Sequence, residues 1–420
     1  MSSSRGPDPR RGPDPRGGLD VTHVVVGFRK RTLSDLDDLL PAGSVLVLDE
    51  PDIVEARKAT EKAKALACVG GIVAAATQDE PHAERLVGLV PRPACVQAAM
   101  PAVEYVAAAR TLRDKIAMRA AADSCGLAQP RWMIAESVRD VDEFRGRHDG
   151  RCVLKPADRQ ASLGVQVLDR DDDAVAAWQH CTHSDEPMVR SSNAPPRRYL
   201  AEQRLDGPEV SVEALVHAGE VGFTNITAKA VQPGPSPVET GHVVPAGLAP
   251  GVEAALAVGV AKLVRVTGFR YGVLHSGWIL VDGQRPHFIE GTARLPGDSI
   301  DLLIDLAYGG RLAADYLAVL EGRGRVPPRP SRSPAAIRFL TAPTGTVREV
   351  VGREIAADRP GIHEVTVSVA SGATVGPVTS SWSRPGHVIA TGADGWEVAG
   401  RAVAAASLIT FAMDEEMPCP

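Results

Sequence analysis

Two apolar segments, GVLHSGWIL (272–280) and HFIEGTA (287–293), flank the turn-forming VDGQRP, and they constrain this chain more than any other feature. Short runs rich in β-branched and aromatic residues around an Asp-Gly turn predict a pair of adjacent strands. An acid, Glu290, sits in the middle of the second strand, and Arg294 follows just past its end. A buried acid near an arginine is explained by a salt bridge alone, so what else the chain brings to this hairpin decides its meaning.

The chain has 420 residues, enough for two to four domains and a sizeable core. Its hydrophobic fraction of 44%, charged fraction of 23% and net charge of -6 describe an ordinary globular protein. That charge provides no field for wrapping a polyanion, so no nucleic acid partner is expected. Cys68, Cys95, Cys125, Cys152, Cys181 and Cys419 show no C-x-x-C spacing, which predicts reduced thiols in a cytoplasmic protein. No apolar run has the roughly 18–20 residues of a membrane span, and no secretion signal is expected at the N-terminus.

Residues 1–18, with RGPDPR twice, offer nothing to bury and are expected to be a disordered tail. From Asp20 the apolar runs VTHVVVGF, SVLVLDE and CVGGIVAAAT alternate with helical spacing, which predicts an α/β layer on a parallel sheet over 19–110. Its first turn, GFRKRT, lacks G-x-G-x-x-G, so Asp49 and Glu50 read as strand-end caps and not as ribose ligands. A single long helix is predicted from Pro101 to Gly126. Beyond it, CVLKPA and GVQVL predict a hairpin, and 197–223 reads as strand–turn–strand–turn–strand with DGPE and HAGE as the turns. The segment DSIDLLIDLAYGGRLAADYLAVL reads as helical, and GRGRVPPRPSRSP (322–334) as a linker before a small α+β domain. The expected divisions are 19–110, 111–200, 201–325 and 326–420.

Three features call for one explanation. Lys115 lies on a helix and Lys155 follows an apolar strand, in a chain with only eight lysines. An ammonium there, with Ser162 and Gly164 in the following loop, suits phosphate oxygens. Glu202 and Glu209 stand seven residues apart across a turn, and Glu209 and Glu213 share a strand face by period two. Clustered carboxylates persist where a cation, a sugar hydroxyl or an amine sits between them. With Glu290 and Arg294 added, the set becomes a candidate magnesium-and-phosphate centre.

The order RDKIAMRAAADSCGLAQP, VLKPADRQASLGV, YLAEQRLDGPEVSVEAL, ITAKAVQPGPSPVETGHVVPA and FIEGTARLPGD resembles the ATP-grasp carboxylate–amine ligases. The segment GTVREVVG…GATVGPVTSS…RPGHVIATGAD is similar to the C-terminal domain of the L-amino-acid ligase branch. The resemblance, spanning about 20–412, implies an α/β N-terminal domain, then an ATP-grasp fold of two α+β lobes, the smaller (111–200) acting as a lid. A small α+β C-terminal domain would follow. It implies an acyl phosphate made with ATP and Mg2+ from a small-molecule carboxylate, then attacked by an amine to form an amide, in specialised metabolism. Lys115 and Lys155 would hold phosphates, under a loop containing Ser162 and Gly164. Glu202 would lie near the adenine amino group, with the backbone of Gln203 and Leu205 beside it and Glu209 on the ribose. Glu290 would bind the metal, and Arg294 would steady the transferring group. Glu239, His242 and Gly297 would join Arg294 on the substrate side, and Lys229 matches a further family position. Homodimerisation through the N-terminal domain is compatible with the resemblance, and no surface pattern marks it.

The chain departs from the family pattern at the metal. An acid is usual two residues after His275 and an asparagine two after Glu290; here Gly277 and Thr292 occupy those places. Glu213 or Asp282 is the expected substitute for the missing carboxylate. The phosphate loop ADRQASLG has a single glycine. These departures keep a second reading open: a diverged ATP-grasp protein that binds nucleotide or a small molecule without turnover.

Overall fold

The computed structural model describes residues 102–184 and 197–414, together with Leu40 and the strands β1 (His23–Val26), β2 (Val45–Leu48) and β3 (Ala74–Thr77). These strands pair in parallel in the order β2-β1-β3, as the alternating pattern predicts. The tail 1–18, the helices expected between these strands, Asp49 and Glu50 lie outside the described residues.

The predicted long helix is two: α1 (Ala102–Arg113) and α2 (Lys115–Ser124). Asp114 breaks it with an extended backbone, and its Oδ1 accepts the N–H groups of Ile116 at 2.9 Å and Ala117 at 3.4 Å. An aspartate satisfies the orphan donors of a helix start better than it continues a helix, so capping wins over apolar periodicity here. Lys115 becomes the first residue of α2.

The small lobe comprises β4 (Trp132–Ala135), α3 (Val138–Gly146), β5 (Cys152–Pro156), β6 (Gln166–Leu168), α4 (Ala174–His183) and β7 (Tyr199–Glu202). Its antiparallel sheet runs β4-β7-β5-β6. Ser137 starts α3 with a capping box and Asp173 caps α4. Both helices cover the sheet through Val141, Phe144, Ala177 and Cys181. Cys125, Cys152 and Cys181 are free thiols, and burial pushes the latter two up to about 12.

The large sheet begins with β8 (Glu209–His217), β9 (Glu220–Val231) and β10 (Glu239–Val244). After α5 (Pro250–Thr267) come β11 (Gly272–Val281) and β12 (Arg285–Thr292), the expected hairpin. Helices α6 (Ile300–Tyr308) and α7 (Leu312–Leu320) follow, split at Gly309, whose φ of 66° ends α6 in a left-handed cap. The C-terminal region contributes β13 (Ala335–Phe339), β14 (Gly345–Val351), α8 (Arg353–Ala357), β15 (Ile362–Val367), β16 (Thr374–Val375), β17 (Gly386–Thr391), α9 (Gly395–Ala406) and β18 (Thr410–Met413). The large sheet runs β12-β11-β8-β9-β10-β13-β17-β15, so it passes unbroken from lobe to C-terminal region, with β16-β14-β18 as a separate sheet. β3 lies against α7.

Period two gives this sheet two chemistries. Val210, Val212, Ala214, Leu274, Trp278 and Phe288 face α5 and bury with Leu256, Val260 and Leu263. Trp278 is fully buried, and a Cβ on Gly259 of α5 would lie 2.6 Å from its ring, so glycine lets the helix settle on the indole. The other face is apolar where α6 and α7 cover Leu215, Val273, Phe223 and Ile337. Further along, the same face carries Glu209, Glu213, Lys229, His275 and Glu290.

HAGE closes a true hairpin between β8 and β9. DGPE does not: β7 belongs to the small sheet and β8 to the large one, so 203–208 is the crossing between lobes. Gly207 there has φ 155°, and a Cβ on it would lie 2.2 Å from the Leu280 carbonyl oxygen. Gly219, in the HAGE turn, has φ 84° and open space around it. Gly207→Ala is therefore expected to cost about 2 kcal/mol or more, from backbone strain plus collision, and Gly219→Ala less. Equal losses in urea unfolding would refute the hinge packing.

Candidate active site

Between the small sheet and the charged part of the large one lies a cleft of about 460 Å³. Of the residues singled out in the sequence, Lys115, Lys155, Ser162, Glu202, Gln203, Leu205, Glu209, Glu239 and Glu290 line it, as does Lys229. Gly164, His242, Thr292, Arg294 and Gly297 do not.

Three ammonium groups converge on Glu290. Burial alone would raise the Glu290 carboxyl, but Lys115, Lys229, Lys155 and His275 outweigh it and hold it down to about 2. Lys115 donates to the Arg159 carbonyl in the loop after β5. Lys229, its side chain 4% exposed, lies 3.3 Å from both Glu209 and Glu239. Burial would lower its pKa, yet Glu239, Glu209, Glu290 and Asp298 raise it well above the usual lysine range. Burial pushes Lys155 down, opposed by Glu202 at 2.6 Å.

Glu202 lines the cleft with its carboxylate already paired. One carboxylate oxygen meets Lys155 and the other meets Arg119 Nε at 2.7 Å, so both are spent inside the protein. Arg119 is fully buried and also donates to the Phe288 and Ile289 carbonyls at 2.8 and 2.6 Å. Burial would raise Glu202, but Arg119 and Lys155 bring it below the ordinary value. The Gln203 N–H is taken by the Arg131 carbonyl at 2.8 Å. The Leu205 N–H donates to no protein group among the described residues.

At the metal-candidate end, a bulge at Ile289 sets Glu290 opposite Gly277 and Thr292 opposite His275. Glu290 accepts no hydrogen bond among the described residues, and the buried Thr292 Oγ1 has no partner. Neither expected substitute serves. The Glu213 carboxylate accepts from Ser211, His275, Asn225 and Thr227 at 2.6–2.9 Å, which fills it. Asp282 sits exposed in the hairpin turn, paired with Arg285. No group of three His, Cys, Asp or Glu suited to a metal occurs among the described residues. Glu290 and Thr292 fit one hard cation that keeps water and phosphate ligands.

In the phosphate-candidate loop, the Ser162 hydroxyl donates to the Pro237 carbonyl at 2.9 Å. The Ser162 and Gly164 N–H groups donate to no protein acceptor among the described residues. Gly164 itself is buried at φ 73°, where a Cβ would crowd Pro156 at 3.0 Å and the Cys181 carbonyl at 3.1 Å. Packing, and not ligand approach, demands that glycine. Arg294 crosses the cleft mouth, donating to Gln160 Oε1 at 3.0 Å and the Leu295 carbonyl at 2.9 Å, with its buried Nε unpartnered. Gly297 only accepts the Ile300 N–H at the start of α6.

His242 is buried beside the cleft, its Nε2 at 3.3 Å from Asp298 and its Nδ1 without a partner. Asp298 also binds Arg384 through both oxygens, and Arg384 lies 3.6 Å over the Phe339 ring. Ser381 donates to Glu239 at 3.2 Å, and its N–H reaches the Ala161 carbonyl at 3.1 Å. The C-terminal region thus supplies part of the site. Sequence reasoning missed Arg119, Gln160, Asp298, Ser381 and Arg384. Only Arg119 carried a local signal, four residues after Lys115 on one helix face.

With the geometry established, the chain can be set beside known proteins. Residues 149–300 match the ATP-grasp domain family, and 338–414 match the family described as L-amino acid ligase C-terminal domain 2. An uncharacterised protein, y4rH, of Sinorhizobium fredii is 28% identical over 283 residues, covering 66% of this chain and 56% of that protein, little more than half its length. The L-amino acid ligase of Bacillus licheniformis superposes with TM-score 0.74 at 17% identity, covering 94% of this chain and 99% of that one. Phosphoribosylglycinamide synthetase of Anaerococcus prevotii gives TM-score 0.64 at 14% identity, covering 93% and 99%. N5-carboxyaminoimidazole synthetase of Staphylococcus aureus, complexed with ADP, gives 0.65 at 14%, covering 92% and 97%. At these identities the superpositions speak for the fold.

Two outcomes are expected from this geometry. Arg119→Met leaves Glu202 buried with half its compensation and should cost about 3–5 kcal/mol in urea unfolding, partly restored by adding Glu202→Gln; an unchanged midpoint would refute the clasp. The depressed Glu290 carboxyl contributes stability that is full above the ordinary glutamate range and lost as pH falls towards about 2. Unfolding midpoints of the native chain should therefore drop more steeply below pH ~4.5 than those of Glu290→Gln; superimposable profiles would contradict the charge arrangement.

Proposed function

We propose that this ATP-grasp protein, whose C-terminal domain is that of L-amino acid ligases, uses ATP to join a small carboxylate to an amine. One observation carries the reading: Lys115, Lys155 and Lys229 converge on a single free carboxylate, Glu290, in a cleft between two lobes. Lys155 and Lys229 are held in place by glutamates, and Lys115 forms no ion pair among the described residues, which leaves its ammonium for a phosphate oxygen. The free Leu205 N–H is a donor for an adenine ring nitrogen at the lobe crossing, and Glu209 suits the ribose hydroxyls. Lys115, Lys155 and the free N–H groups of Ser162 and Gly164 would take phosphate oxygens. Glu290 and Thr292 would hold Mg2+, which when bound neutralises phosphate charge.

In this reading a carboxylate oxygen attacks the γ-phosphorus, the bond to the bridging oxygen breaks, and ADP leaves with that electron pair. The amine nitrogen then attacks the acyl carbon, the carbon–oxygen bond to phosphate breaks, and the amine's proton leaves with phosphate or water. Arg294 would release Gln160 and turn to the charge developing on the transferring group, where a fixed donor lowers a barrier by about 3 kcal/mol. Exclusion of water by lobe closure protects the acyl phosphate from hydrolysis.

A second reading, binding without turnover, draws support from Gly277, which supplies no ligand, and from the bonds already held by Arg294. ADP release over pairs of amino acids and related acids and amines, with mass spectrometry of the products, separates the two. The ligase reading expects ADP only when carboxylate and amine are both present; nucleotide binding with no ADP from any pair supports the second. Arg294→Ala is expected to bind ATP as before and to lose turnover at least about a hundredfold; full turnover would remove Arg294 from the chemistry.

A further inference from the structure

We propose that the triphosphate is bound with a single divalent ion, on Glu290 and Thr292, and that the Lys229 ammonium is the second, permanent cation of the site. The inference rests on the ATP reading above and goes beyond it by fixing how positive charge is divided between metal and protein.

The glutamates of the cleft and its floor decide the metal count. Glu202 is consumed by Arg119 and Lys155. Four donors fill Glu213. Glu209 and Glu239 both hold Lys229. Of these five glutamates, Glu290 alone has neither an ion-pair nor a hydrogen-bond partner among the described residues, and the nearest unused side-chain oxygen on its strand is Thr292 Oγ1. Magnesium takes about six oxygens and is commonly held by one or two carboxylates with phosphates and water. One carboxylate and one hydroxyl suffice for one such ion and leave no second unpaired glutamate for another.

The register closes the alternative. The residue opposite Glu290 on the neighbouring strand is Gly277, and a Cβ built there would lie 3.1 Å from Glu290 Cγ and 3.2 Å from Ile289 Cγ1. A facing side chain at 277 would press on Glu290 and Ile289, which would have to yield to admit it. Lys229 supplies charge in the same neighbourhood. It stands on β9 opposite Glu209 and His242, its position set by two acids and its side chain almost wholly buried. A fixed ammonium offers phosphate the attraction of a cation without needing a carboxylate cage, and it repels a second divalent ion.

The test counts Mn2+ per bound nucleotide by electron paramagnetic resonance on the full-length protein, with a non-hydrolysable ATP analogue kept below the protein concentration. One Mn2+ is expected in the native chain. Lys229→Met uncovers Glu209 and Glu239 as a two-carboxylate site, so the count should rise to two; if that variant does not fold, Lys229→Gln takes its place. Two Mn2+ in the native chain, or one in the folded Lys229 variant, overturns the inference and leaves the ATP reading intact. A chain that binds no nucleotide defeats both.

Discussion

The site hangs on a buried arginine. Arg119 holds Glu202 at the end of the small sheet and, with the same guanidinium, the carbonyls of Phe288 and Ile289 in the large one. Its planar fork serves acceptors in several directions, which a lysine could not. Glu202, so anchored, has one oxygen left, and that oxygen holds Lys155 at the cleft floor. The aim of Lys155 and the course of the strand carrying Glu290 are thus set by one side chain that stands outside the cleft lining. Burying three charges is costly, and the arrangement survives because every oxygen of Glu202 is paired.

Much of this was legible in the sequence, for reasons that can be named. Period two placed Glu209 and Glu213 on one face of β8, and the structure keeps them there with Ser211 between. The hairpin 272–292 and the parallel N-terminal sheet followed from apolar runs and turns. Other features depended on partners far along the chain. Glu202 read as a ligand group because nothing local announces Arg119, 83 residues earlier, as its mate. The bulge at Ile289 leaves no mark in the hydrophobic pattern, yet it sets Glu290 against Gly277. Asp114 splits the predicted helix, because the apolar spacing on both sides of it reads as one continuous helix.

The role of the C-terminal region was the least legible part. Asp298 and Arg384 stand 86 residues apart and neither lies in a recognisable pattern, yet their bidentate pair holds His242 beside the cleft. Burial would raise the Asp298 carboxyl, but His242 and Arg384 hold it well below the usual range, so it stays charged and keeps both partners. Because β13 continues the large sheet from β10, the C-terminal region cannot swing away without breaking strand pairing. Its contribution to the site is therefore rigid.

Rigidity on that side locates the motion elsewhere. The back of the cleft is closed by Arg119, whose charge-assisted bonds are buried and expensive to lose. Across the front, the loop 157–164 meets the large lobe and C-terminal region through Arg294 to Gln160, Ser381 to Ala161 and Ser162 to Pro237. Each is a half-buried hydrogen bond worth about 1 kcal/mol net. Opening the front exchanges these for water at little cost, whereas opening the back strands a glutamate. The contacts at the back, centred on Arg119, are therefore the costlier ones to break, and those at the front, Arg294 to Gln160 among them, the cheaper.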